Sequence, residues 1–128
     1  MEHERLLIEN FVYKERQDRY LNLIQTKTGR TKLRKYIAHF NDLDSSFLIN
    51  VSHLQTFQDL YSHLKSKGAA DTCYIISEHS DYDGCSFPLF KGISYLFNSG
   101  ISYFSSIIAG KLVYYEGEEA NQKLILLK

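Results

Sequence analysis

The feature that most constrains this chain is a change of hydrophobic period close to Gly68. Before it, apolar residues recur at spacings of three, four and seven, which line one face of a helix. After it come short runs rich in aromatic and β-branched residues, the signature of strands. Helices followed by strands in one chain of 128 residues point to an α+β fold in a single domain spanning 1–128.

Leu7, Ile8, Phe11, Val12, Tyr20, Leu23 and Ile24 predict one long helix from about residue 3 to about residue 26. "TKTGR" reads as a break with Gly29 as its turn residue, and Leu33, Tyr36, Ile37 and Phe40 predict a second helix over 30–40. "NDLDSS" ends it, and "FLINV" is assigned to irregular backbone. Ser52 and Gln55 have the spacing of a capping box for a third helix over 53–67, with Gly68 as its stop.

"DTCYIIS" predicts a strand at 72–77. Pro88 suits the first turn of a helix, because its missing N–H has no intrahelical partner there; Leu89, Ile93, Leu96 and Phe97 give that helix its apolar face and Gly100 ends it. "ISYFSSIIA", "KLVYYE" and "QKLILLK" predict an antiparallel meander, with "GEEAN" turning between the last two. The expected architecture is N-terminal helices on one face of a small, mainly antiparallel sheet of about four strands.

Net charge is zero but unevenly spread. Residues 1–40 carry nine Lys/Arg against five acids, and the rest carries six Lys against ten. The basic half includes Lys27, Arg30, Lys32, Arg34 and Lys35 around a helix–turn–helix outline, which suits phosphate-backbone contact with a nucleic acid. The opposing interpretation is a solvated helix face with local ion pairs.

The stretch "ISEHSDYDGCSFP" collects His79, Asp81, Asp83 and Cys85. Cys85 precedes a helix start, where the dipole stabilises a thiolate, and His79 with a carboxylate could serve it in a hydrolase-type enzyme. Asp-x-Asp-Gly is a fragment of a calcium loop, but the twelfth position, counted from Asp81, is Gly92 and not an acid. No close cysteine pair supports zinc. The plainer reading makes these residues turn and cap formers, so no metal or cofactor is expected.

Ten Tyr and no Trp direct attention to the strands. Tyr103, Tyr114 and Tyr115 beside Glu116, Glu118 and Glu119 suggest an exposed tyrosine surface on the sheet for a partner protein or a second copy. Phosphate-loop, dinucleotide, nucleophile-elbow and zinc-protease motifs are missing, and His53 and His63 lack ligand spacing. No run of eighteen apolar residues occurs, and "MEHERLLIENFVYKERQ" lacks the apolar core of a signal peptide, so a cytoplasmic protein without membrane contact is expected. The run "AGKLVYYEGEE" after "DYDGCSFPLFKGI" resembles short bacterial proteins, a likeness that implies no activity.

The leading expectation is therefore a non-enzymatic intracellular protein-binding or regulatory domain, with a homodimer as one option. Nucleic-acid binding follows, and an enzyme built on His79 and Cys85 comes third.

Overall fold

Tertiary contacts move several element boundaries away from where hydrophobic spacing alone puts them. The computed structural model describes residues 2–128, with helices α1 (Glu2–Phe11), α2 (Lys14–Leu23), α3 (Lys27–Tyr36), α4 (Phe57–Ser66) and α5 (Leu89–Leu96). The strands are β1 (Leu48–Asn50), β2 (Thr72–Ser77), β3 (Ser86–Pro88), β4 (Tyr103–Ile108), β5 (Leu112–Glu116) and β6 (Lys123–Leu127). They form one antiparallel sheet in the order β1-β6-β5-β4-β2-β3, six strands where about four were expected.

The expected long first helix is two helices. Apolar spacing runs through the break, but Tyr13 N donates to Asp42 O at 2.9 Å and Asp44 N donates to Phe11 O at 2.7 Å. Val12 bridges Leu43. Backbone groups that would continue the helix are thus satisfied by a distant turn. Gly29 also has another role than turning: Thr26 caps α3, its hydroxyl accepting from Gly29 N at 2.9 Å. A Cβ on Gly29 would lie 2.1 Å from the Leu23 carbonyl oxygen, so the residue lets α3 press against the end of α2.

"FLINV" contributes a strand. β1 pairs with β6, Val51 N donates to Lys123 O, and Ser52 N is turned to the Asn50 side chain. Ser52 and Gln55 accordingly form no capping box, and Thr56 caps α4 by accepting from Asp59 N. Pro88 does not enter the first turn of the helix as expected: it ends β3, which pairs with β2, and Leu89 N, at the start of α5, donates to Asp71 O.

Strand alternation divides the core in two. Ile76, Phe104, Val113, Tyr115 and Leu126 meet Leu7, Ile8, Phe11, Tyr20 and Leu33 of α1, α2 and α3. On the opposite face Ile75, Tyr103, Leu112, Tyr114 and Ile125 meet Leu60 and Leu64 of α4 and Leu89, Ile93 and Leu96 of α5. The N-terminal helices take one face as expected, while α4 and α5 cover the other. Hence β5 is buried along its whole length.

The contact between α2 and α3 makes a testable prediction. In an open helix Gly→Ala stabilises by about 1 kcal/mol. Gly29→Ala should instead destabilise by about 1–3 kcal/mol through overpacking, seen as a lower urea midpoint; a raised midpoint would refute the close approach.

Candidate functional site

The loop between β2 and β3 lies against α3, so the acidic loop and the basic helix noted in the sequence meet each other. Asp83 is the joint. Its Oδ1 accepts from Arg30 Nη2 at 2.9 Å and from Ser77 N at 3.0 Å, and its Oδ2 accepts from Arg30 Nε at 3.0 Å. Arg34 Nε lies 3.6 Å from Asp83, donates to Ser77 O at 3.0 Å, and Arg34 Nη2 donates to Glu78 O at 3.0 Å. Two of the five candidate nucleic-acid cations are therefore turned toward the loop. Lys27, Lys32 and Lys35 remain exposed.

Arg30 reaches further inward to Glu4, which is fully buried and also accepts from the Tyr74 hydroxyl at 2.6 Å. Burial by itself raises the Glu4 pKa. Hydrogen bonds including those from Tyr74 and Arg30 outweigh it and bring the carboxyl down to about 2. Burial and the neighbouring Glu4 push Tyr74 up to about 12. For Arg30 burial acts to lower the pKa, but hydrogen bonds to Asp83 and Glu4 reverse that and raise it.

The remaining loop residues are mostly engaged with backbone. Gly84 has φ 76°, the left-handed turn expected of Asp-Gly, and its N–H donates to Ile75 O at 2.8 Å. Cys85 Sγ faces the carbonyl oxygens of Asp81 and Asp83 at 3.6 and 3.9 Å. His79 Nδ1 accepts from Asp81 N at 3.2 Å, and its ring lies against Tyr82. No hydrogen bond joins His79 to Cys85 among the described residues; His79 Nδ1 instead lies 3.9 Å from Asp81 Oδ2. Nor does any group of three His, Cys, Asp or Glu side chains among the described residues suit a metal ion. A shallow groove of about 540 Å³ between α3 and the loop is lined by Thr31, Arg34, Lys35, Glu78 and His79. Of its cations, Arg34 has Asp83 behind it, while Glu78 accepts from Ser102 N at 3.1 Å.

The proposed tyrosine surface lies inside the protein. Tyr103, Tyr114 and Tyr115 are buried because helices cover both sheet faces, and Glu116 is buried with them. Glu116 accepts from Tyr103 OH at 3.0 Å, Tyr114 OH at 2.9 Å and Asn98 N at 2.9 Å. Burial raises its pKa, and burial raises both tyrosines strongly, with Glu116 adding to the effect. The Tyr115 hydroxyl donates to Ile37 O and accepts from Phe40 N, and burial pushes it up to about 12. Only Glu118 and Glu119 of this set are exposed, and Glu118 pairs with His39 at 2.5 Å.

Two arrangements were not anticipated. His3 Nδ1 lies 2.7 Å from Ser106 Oγ and its ring stacks on Tyr74 at 4.7 Å, but Ser106 is fully buried and out of reach of a substrate. The second is an aromatic surface on α4 and α5. Phe90 is 49% exposed and Tyr95 is 55% exposed, while Phe57 and Tyr61 pack edge-on against Phe90 with ring centres 5.4 and 5.1 Å away. The signal was present in the sequence, since Phe90 and Tyr95 fall off the Leu89–Ile93–Leu96 face.

The buried ion pairs lead to two predictions. Because the folded pKa of Glu4 is depressed from 4.5 to about 2, its contribution to stability is full above about 4.5 and is lost as pH falls toward about 2. Raised Glu116 acts in the opposite sense, weakening the fold as pH rises through its folded pKa. Glu4→Gln should therefore flatten the acid decline of the thermal midpoint; an unchanged profile would contradict the assignment. Asp83→Ala, which removes Arg30's loop partner but leaves Glu4, should cost about 1–3 kcal/mol in urea unfolding, whereas His79→Ala should stay within about 0.5 kcal/mol. Equal effects of the two would remove the distinction drawn between them. No family model, curated protein or solved structure matches this chain.

Proposed function

We propose that the chain is a non-enzymatic protein-binding domain whose contact surface is the outer side of α4 and α5. The observation that carries this reading is the exposure of Phe90 and Tyr95 on one short helix, with the half-buried rings of Phe57 and Tyr61 packed against Phe90. Large apolar side chains left in water forgo the stabilisation of burial, and clustered ones mark places that other molecules cover. Tyr36, at 38%, is the other large hydrophobic with high exposure among the described residues, and it already has a cover: Arg19 lies over its ring at 5.1 Å and donates to its hydroxyl. Phe90 has no polar group to offer a partner, so its contact is apolar packing.

The engagement of Asp83 by Arg30 and Arg34 supports binding over catalysis, because it withdraws one of the two loop aspartates from proton transfer. Self-association through the same surface is the less favoured form. A two-fold contact centred on α5 would bring two copies of Lys91 into one interface, and α5 itself holds no acid to neutralise them.

Selection of a random-peptide phage library on the intact protein tests the reading. Enriched peptides should lose at least about tenfold in affinity to Phe90→Ser and to Tyr95→Ser, and keep it for His79→Ala. The variants should retain the parental circular dichroism spectrum. Failure to enrich any peptide, or peptides that bind Phe90→Ser as tightly, would overturn the proposal.

A further inference from the structure

Accepting that α4 and α5 form the contact surface, we infer that the partner presents carboxylates beside its apolar anchors: an acidic protein segment bearing aromatic or leucine side chains. At 100° per residue, the exposed arc of α5 runs from Phe90 through Ser94 and Lys91 to Tyr95, while Leu89, Gly92, Ile93 and Leu96 occupy the buried side. Lys91 thus lies between the two exposed rings. A partner broad enough to cover both Phe90 and Tyr95 also covers Lys91.

Lys91 has no ion pair among the described residues. Its ammonium lies 5.8 Å from the centre of the Tyr95 ring, a contact that leaves most of its charge to solvent. Covering this ammonium without an anion removes its hydration and returns nothing. On α4, Phe57, Tyr61 and Lys65 follow one another along the side next to α5. Lys65 sits near the Tyr61 ring and already has Asp71 at 2.8 Å. The acid of α4, Asp59, is two residues from Phe57 and so projects about 200° away from it, off the aromatic side. The surface therefore combines aromatic rings with one unmatched positive charge, while Asp71 beside it is already paired with Lys65.

A single-stranded nucleic acid also stacks on aromatic rings, but it needs a succession of cations to follow its backbone. One unmatched lysine fits a carboxylate within an apolar contact better. The chain's own acidic turn at Glu118 and Glu119 suits this role less well, since Glu118 already pairs with His39 and the turn GEEANQ carries no aromatic or large apolar side chain to meet Phe90.

The test compares phage-selected peptides with synthetic counterparts in which Asp and Glu are replaced by Asn and Gln, measured by fluorescence anisotropy at low salt on the full chain. The selected peptides should be enriched in Asp and Glu, and neutralisation should weaken them about tenfold. Lys91→Glu should cause a similar loss and Lys91→Arg should not, while Lys27→Glu on α3 serves as a charge control without effect. If neutral peptides bind as well as acidic ones and Phe90→Ser still abolishes binding, the acidic partner is excluded while the docking surface stands. If Phe90→Ser has no effect, both fall. Phe90-dependent binding of a thymidine oligonucleotide in place of peptides would overturn the inference in favour of nucleic acid.

Discussion

The interaction on which the N-terminal half depends is the Arg30 guanidinium held between two carboxylates. Glu4 comes from α1 and Asp83 from a loop 53 residues beyond Arg30, so this side chain joins three separate pieces of chain. A buried charge is tolerated only when paired and hydrogen-bonded, and here each member has further support: Tyr74 on Glu4, Ser77 N on Asp83. Pairing of this kind is a poor source of net stability compared with apolar packing. Its value lies in geometry, because only one placement of the β2–β3 loop brings Asp83 to Arg30.

That placement reorganises the functional reading. The basic helix and the acidic loop look in sequence like two sites, one for phosphate and one for catalysis. In the fold they are substantially each other's partners. Arg34 extends the same junction by donating to two backbone carbonyls of the loop, which would otherwise end β2 unsatisfied. On the far side of the sheet, by contrast, the packing of α4 on α5 leaves aromatic rings in water.

Much of the architecture was legible. The strand at 72–77, the three-stranded meander after Gly100 and the helix beginning after Pro88 follow from local pattern, since alternation and proline chemistry act within a few residues. The break at Val12–Tyr13 was not legible, because its cause is the turn at Asp42–Asp44. β1 escaped for a related reason: three residues acquire strand character only when β6 supplies their hydrogen bonds. The tyrosines were misplaced by assuming one open sheet face, although continuous apolar runs such as "KLVYY" are what a strand covered on both sides requires. Phe90 and Tyr95 could have been found by asking which large apolar residues the helix face of Leu89, Ile93 and Leu96 leaves out.

The sequence by itself determined the class of fold, the order of most elements and which side chains can enter a core, because period, turn chemistry and hydrophobicity are local properties. Only the tertiary structure decided how those surfaces pair. It put helices on both faces of the sheet, buried Tyr103, Tyr114, Tyr115 and Glu116, set Arg30 against Glu4 and Asp83, and left Phe90 and Tyr95 outside. The physical reason is that exposure and charge pairing belong to the space between elements, and no spacing along one element encodes what will lie opposite it.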